Sequence, residues 1–264
     1  MDLGLKGKTA VITGASQGIG FAVARGLAAE GVDVYLCARN AGKLNEAAAA
    51  IARDYGVKAV GVSADVSETA GVERLVRSVA EGEGGADILI NNAGTGTEET
   101  IMEAPDEKWL YYWNLHVMAS VRTARGFVPQ MRKRGGGVIL NTASICAKQP
   151  LSYEPIYNTT KAALVMFTKC LANEVVKDNI RVNTINPGLI LTPDWLKTAT
   201  ILGQKEGITP QQYLDRIAEQ NTPIGRFATP EELANTYVFL CSDRASYSLG
   251  ASYYVDGGWL KVVD

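Results

Sequence analysis

Short unbroken apolar runs alternate along the chain with stretches whose apolar positions recur every three or four residues. The first run, Lys8–Thr13 (KTAVIT), is β-branched and stops at a glycine; Gly18–Ala29 then takes helical spacing and ends at Gly31. The alternation continues to the end of the chain. It predicts further strands at Val32–Cys37, Lys58–Ser63, Asp87–Asn91, Val138–Thr142, Arg181–Ile185 and Ala251–Val255. Helices are expected at Lys43–Asp54, Glu68–Glu81, Pro105–Arg134, Pro155–Lys177 and Glu231–Cys241. Strands that are apolar at successive positions are buried on both faces, the condition of a parallel sheet covered by helices. Right-handed crossovers then give a doubly wound α/β sheet of Rossmann type. No linker, repeat or composition shift divides residues 1–264, which read as a single domain. One segment breaks the rhythm: Thr192–Thr229 is a long insertion with helical pieces at Trp195–Leu202 and Pro210–Gln220. Insertions at the carboxyl ends of strands lie over the ligand crevice of such sheets, so 192–229 reads as a helical lid.

Composition narrows the function classes. Hydrophobic residues make up 47% and charged residues 20%, a globular balance that argues against extended disorder. With 26 Lys plus Arg against 28 Asp plus Glu, the net charge of −2 offers no field to recruit nucleic acid or an anionic membrane. No apolar run is long enough to span a bilayer, and Met1-Asp2-Leu3-Gly4-Leu5-Lys6 lacks the apolar segment of a secretion signal, so a cytoplasmic location is expected. Cys37, Cys146, Cys170 and Cys241 show no CxxC spacing and read as reduced, mostly buried small hydrophobes. His116 is the sole histidine and reads as an ordinary helix residue. No metal centre is expected, and a Ser-His-Asp hydrolase would have to be built around that one imidazole.

Candidate chemistry begins at the first strand-to-helix turn, Thr13-Gly14-Ala15-Ser16-Gln17-Gly18-Ile19-Gly20. Gly14 admits a tight turn, Gly18 lets backbone approach a phosphate, and Gly20 lets the helix pack on the strand. The helix N-terminus then presents free N–H groups and a positive dipole end to a pyrophosphate. No Gly-Lys-Ser/Thr follows, so this is not a P-loop. At the end of the second strand such folds carry an acid for the 2′-hydroxyl of NAD, or a basic residue for the 2′-phosphate of NADP. Here the chain reads Cys37-Ala38-Arg39-Asn40. Arg39, with no acid beside it, points to NADP in preference to NAD, with Asn40 adjacent and Ser16 and Gln17 as further donors.

Tyr157 and Lys161 are four residues apart on one expected helix and share a face. A tyrosine is a poor base near neutrality, and an ammonium beside it is expected to lower its pKa, which makes the pair an acid/base device for a hydroxyl proton. Ser144 follows the fifth strand, where its hydroxyl can hold a carbonyl oxygen in line with Tyr157. Asn114, inside the long helix before that strand, is expected to fix a water or backbone group behind Lys161.

Taken together these residues resemble the short-chain dehydrogenase/reductase family, in its compact one-domain branch, over the whole chain. TGASQGIG at 13–20 matches the family's nucleotide loop and brings Ile19 into the expected cofactor contacts. Asp65-Val66 matches its adenine contact, Asn91-Asn92-Ala93-Gly94 its NNAG motif, and Asp256-Gly257-Gly258 its C-terminal element. Pro187-Gly188-Leu189-Ile190-Leu191-Thr192 matches the segment that lines the nicotinamide. Asn114, Ser144, Tyr157 and Lys161 match its catalytic tetrad. The resemblance implies hydride transfer between NADP(H) and a carbonyl or secondary alcohol. In that scheme Tyr157 is the acid/base, Ser144 orients the oxygen, Lys161 binds the nicotinamide ribose and tunes Tyr157, and Asn114 holds a relay water. It also implies a homotetramer or homodimer, paired through the long helices that include 105–134 and 155–177. The alternative is an NADP-binding regulator or scaffold without turnover, for which a poised base has no use.

Motif positions suggest which residues face the substrate: Thr95 and Gly96 after NNAG, Ile145, Gln149 and Tyr153 between Ser144 and Tyr157, Leu189 after the PG pair, and Trp195 at the lid entrance. The set is mainly apolar and aromatic, which implies an uncharged or mostly apolar carbonyl compound. The run Gly203-Gln204-Lys205-Glu206-Gly207-Ile208-Thr209 resembles lids of 3-oxoacyl-carrier-protein-reductase-like members, though no basic patch for an acidic carrier protein is visible.

Overall fold

The computed structural model describes residues 1–262. Among them β1 (Thr9–Thr13), β2 (Asp33–Ala38), β3 (Ala59–Ser63), β4 (Ile88–Asn91), β5 (Gly137–Thr142), β6 (Ile180–Pro187) and β7 (Ser252–Val255) form one sheet. All neighbours pair in parallel, in the order β3-β2-β1-β4-β5-β6-β7. This is the doubly wound sheet that the unbroken apolar runs demand. Alternate strand residues divide between two cores. Ala10, Ile12, Val34 and Leu36 pack with α1 (Gly18–Ala29), α2 (Ala41–Tyr55) and α9 (Pro230–Cys241). Val11, Tyr35 and Cys37 pack with α3 (Thr69–Glu83), α5 (Ala119–Lys133) and α6 (Pro155–Val175). The strand order reverses between β1 and β4, so the loops leaving those two strands diverge and open a crevice at their carboxyl ends.

The stretch expected as one helix over Pro105–Arg134 is interrupted. α4 (Asp106–Trp113) runs into a π-helical turn, Asn114–Met118, before α5 begins. Leu115, His116 and Val117 are all buried. Three successive residues of an α-helix fan over about 200°, too wide for one buried face; the wider π turn lets all three point inward. Apolar spacing alone does not reveal such a turn.

The insertion after β6 folds as α7 (Pro193–Glu206), which extends past both ends of its predicted Trp195–Leu202, and α8 (Pro210–Asn221), which ends one residue beyond its prediction. Its two ends are pinned together by a parallel bridge between Ile190 and Ala228. Above that base, Ala199, Tyr213 and Leu214 make a small core of their own, with Trp195 and Phe227 against it. Cys37, Cys146 and Cys241 are buried free thiols and Cys170 is an exposed one. Among the described residues no helix is long and apolar enough to cross a membrane.

Candidate active site

The phosphate-binding loop is built by close approach. Gly14 takes φ 67°, and a β-carbon there would lie 2.9 Å from the Ala93 Cα. A β-carbon on Gly20 would lie 2.5 Å from the Gly14 carbonyl oxygen and 2.6 Å from the Asn92 amide nitrogen, so any side chain would push α1 off the strand. Asn92 staples the two loops: its side-chain nitrogen donates to the Thr13 carbonyl (3.0 Å), while the Asn92 and Ala93 N–H groups donate to Thr13 Oγ1 at 2.9 and 3.0 Å. Gln17 precedes α1 without a side-chain cap, and the first turn carries no acid, so the free N–H groups of the helix face the crevice unneutralised. Thr192 and Pro193 pass over Gly18, within 3.6 Å of where its β-carbon would stand. At the end of β2, Arg39 Nη1 donates to the Tyr111 hydroxyl (3.3 Å), and Asn40 caps α2 by accepting from Lys43 N (3.0 Å). Asp65 accepts from the Ser67 N–H and hydroxyl, and Val66 is buried in the core. Pro187 closes β6, Gly188 N donates to the Val255 carbonyl, and Ile190 is buried at the base of the insertion.

Ser144, Tyr157 and Lys161 come together at the carboxyl end of β5. Lys161 is buried, donates to the Thr142 carbonyl (2.8 Å), and holds its ammonium 5.2 Å from the Tyr157 ring centroid. Burial pushes the Lys161 ammonium down to about 8, partly opposed by Cys146 and Glu154. The Tyr157 phenol is raised, not lowered as its lysine neighbour suggested. Burial is the main cause, Cys146 and Glu154 add to it, and a hydrogen bond with Ser144 opposes it. A phenol so held keeps its proton near neutrality, the state required of a proton donor.

Asn114 does not join this group. Its amide donates to the Leu110 carbonyl (3.0 Å) and accepts from Arg122 Nη2 (2.8 Å), and Arg122 in turn donates to the Ser67 carbonyl. Two residues on, the π turn delivers His116 instead. Its ring meets Tyr157 edge-on with centroids 5.5 Å apart, and a β-carbon on Gly94 would lie 3.2 Å from its Nε2 and 3.5 Å from Lys161 Nζ. His116 Nδ1 lies 2.8 Å from Thr160 Oγ1, and Nε2 accepts from Thr95 N–H at 3.4 Å. The Thr160 hydroxyl donates to the Tyr157 carbonyl (3.0 Å), so its single proton is committed and the imidazole hydrogen belongs on Nδ1. Burial, reinforced by the charge of Lys161, pushes the imidazole down to about 2, so it stays neutral. A sole histidine carries no spacing signal, and its place in the site rests on the π turn.

The wall around these residues is more polar than the motif positions suggested. Ile145 and Leu189 are buried and form an apolar patch together with Tyr157 and Trp195. Trp195 also stacks edge-on with Phe227 at 5.2 Å. Gln149 accepts from Lys261 N at 3.5 Å and ties down the C-terminal segment, while Tyr153 is half-exposed at the rim. Glu154 and Cys146, which sequence reasoning passed over, are buried there, the Cys146 thiol donating to Glu154 Oε1 at 3.3 Å. Burial raises the Glu154 carboxyl to about 7; the Cys146 bond opposes this and Glu99 adds to it. Tyr-x-x-x-Lys draws attention to its own two residues and not to the acid three positions before the tyrosine.

A family model described as Enoyl-(Acyl carrier protein) reductase matches residues 14–260. D-beta-hydroxybutyrate dehydrogenase of Cupriavidus necator is 35% identical over 257 residues, which cover 97% of this chain and 99% of that one. The 3-oxoacyl-[acyl-carrier-protein] reductase of Aquifex aeolicus is 32% identical, covering 98% and 99%. Among solved structures, L-sorbose reductase from Gluconobacter frateurii, complexed with NADPH and L-sorbose, is 60% identical over the full length of both chains, with a TM-score of 0.99.

Proposed function

Because this chain belongs to the short-chain dehydrogenase/reductase family, we propose that it is an oxidoreductase that uses NADPH to reduce a polyhydroxy ketone and, in reverse, oxidises the matching polyol. The observation that carries the reading is the group of buried Ser144, buried Lys161 and partly buried Tyr157 beside an uncapped helix N-terminus. The substrate class is supported by the similarity to L-sorbose reductase and by the polar wall at Glu154 and Cys146.

The chain's residues fit a dinucleotide. Gly14 and Gly20 leave backbone where side chains would collide, the α1 N-terminus offers unpaired donors to a pyrophosphate, and Arg39 stands where a 2′-phosphate needs a fork of donors. When bound, the cofactor supplies the hydride. The Ser144 hydroxyl donates to the substrate carbonyl oxygen and holds it against Tyr157. The phenol of Tyr157 gives its proton to that oxygen as negative charge develops there. Lys161 stabilises the phenolate left behind and is the cation for the nicotinamide ribose hydroxyls. His116, neutral and fixed between Thr95 and Thr160, holds the Tyr157 ring from the side where Asn114 was expected. Residues 192–229 act as a lid, and the exposed faces of α4, α5 and α6 pair copies of the chain.

NADPH oxidation in the presence of L-sorbose and other ketohexoses, acetoacetate, and a 3-oxoacyl thioester tests the reading. Turnover of the polyhydroxy ketones well above the other two supports it; turnover confined to the acid or the thioester, or none at all, overturns it. The cofactor side is tested by dissociation constants. A charge-assisted contact to the 2′-phosphate amounts to about a ten- to hundredfold difference in affinity, so Arg39→Ala is expected to weaken NADPH by that factor and leave NADH nearly unchanged. Ala38→Asp is expected to shift preference toward NADH. Tighter binding of NADH by the unmodified protein contradicts the assignment of Arg39.

A further inference from the structure

Glu154 is the carboxyl that the mechanism leaves unused. It is 7% exposed, stands three residues before Tyr157 at the start of α6, and its charge bears on both Tyr157 and Lys161. It does not cap its helix. Oε1 is met by the Cys146 thiol, a weak donor, and the Thr97 backbone N–H also serves the carboxyl. Glu99, its acidic neighbour, has a cation by contrast: its Oε1 accepts from the Thr97 hydroxyl and Ile156 N–H, and its Oε2 pairs with Lys108 at 2.9 Å. Among the described residues Glu154 makes no such ion pair. Its Oε2 faces Gly96, an exposed residue in the loop after β4: a β-carbon on Gly96 would lie 3.5 Å from Oε2 and, chain neighbours aside, within 4 Å of no other atom of the described residues. A buried carboxyl held by little more than a thiol and one N–H, and open on one oxygen toward the crevice, retains acceptor sites that burial alone makes costly. Substrate hydroxyl groups satisfy such sites; a substrate carboxylate would be repelled by them.

We propose that Glu154 is a specificity-determining residue that accepts a hydrogen bond from a hydroxyl of the substrate on the Gly96 side, selecting polyhydroxy ketones and rejecting keto acids. The proposal rests on the NADPH-dependent ketone reduction argued above. It also gives a physical reason for this chain to part from a hydroxybutyrate dehydrogenase, to which it is similar, since that substrate bears a carboxylate.

The test measures kcat and KM for L-sorbose, its single-deoxy analogues and acetoacetate at pH 8, with the unmodified protein, Glu154→Gln and Glu154→Leu. NADPH binding is followed separately by fluorescence. The expected result is a KM for L-sorbose raised about 10- to 100-fold in Glu154→Leu and less in Glu154→Gln, with NADPH affinity unchanged. One deoxy analogue should show the same penalty on the unmodified protein and no further penalty on Glu154→Leu. Glu154→Gln should also gain acetoacetate turnover, which a merely structural role would not produce. Gly96→Ala, which sets a methyl before Oε2 while leaving the carboxyl intact, covers the case in which the Glu154 variants fail to fold; it should raise the same KM. If L-sorbose is reduced but every deoxy analogue loses equally on all variants, or Gly96→Ala leaves KM unchanged, the role of Glu154 falls and the ketone reductase reading stands. If the unmodified protein reduces no polyhydroxy ketone, both fall.

Discussion

At the scale of single residues, Tyr157 and His116 make opposite demands on protons. Tyr157→Phe removes a hydroxyl and leaves the ring against His116, so folding and NADPH binding should survive while ketone reduction falls by roughly 10²–10⁴. Steady-state rates beside NADPH fluorescence titration check this; near-native turnover would rule out Tyr157 as the donor. His116 must do the reverse and never take a proton. With the folded value near 2 and the ordinary value 6.5, the unfolded chain binds a proton across that window which the folded chain refuses. The contribution of His116 to stability is therefore complete above about pH 6.5 and is lost as pH falls toward 2. As the sole histidine it gives a single imidazole signal pattern, one pair of ring nitrogens, in nitrogen-15 NMR. That signal should report the Nδ1–H tautomer and stay fixed from pH 5 to 8; a midpoint near 6.5 would show that the ring is not held as described.

Between residues and the whole stand the elements, and here the insertion is the informative case. Thr209-Pro210-Gln211-Gln212 and Thr229-Pro230-Glu231-Glu232 each form a capping box with proline in the first turn, so α8 and α9 begin where four local residues dictate. α7 and α8 share a core with Trp195 and Phe227, and the Ile190–Ala228 bridge fixes the base. Such a unit is expected to tilt as one piece about its base instead of melting. Hydrogen exchange over 193–221 should slow when NADPH and L-sorbose are both added, with Ile190 and Ala228 protected throughout; equal exchange in both states would remove the lid role. The π turn is the second case. Arg122 bridges it to the loop after β3 through the Asn114 side chain and the Ser67 carbonyl, so the residue expected to serve Lys161 instead braces the turn that presents His116.

For the molecule as a whole, exposed large hydrophobic residues occur at several places, among them the helices expected to pair copies of the chain. Leu110, Tyr111 and Trp113 on α4 and Met166 on α6 are exposed, and covering them is one gain that pairing through these helices would bring. Light scattering should give a particle of four chains, or of two, and Leu110→Asp combined with Met166→Asp should reduce its mass without unfolding it. A monomeric unmodified protein would show that these helices do not pair copies of the chain.

What the sequence determined by itself is what a few neighbouring residues decide. Unbroken apolar runs such as VILNT leave no solvent face and so specify central parallel strands; glycines at 14, 18 and 20 specify a phosphate-type turn; the four-residue spacing of Tyr157 and Lys161 places both on one side of a helix whatever surrounds it. The tertiary structure decided what depends on distant partners. His116 meets Thr160, 44 residues away, only because a π turn rotates it inward. The same rotation sends Asn114 outward to Arg122, and no local pattern distinguishes the two. Glu154 became part of the site because Gly96, Thr97 and Cys146 arrive from other loops to enclose it. Periodicity records which side of an element is apolar, whereas the direction in which a polar side chain is finally buried is set by the elements packed against it.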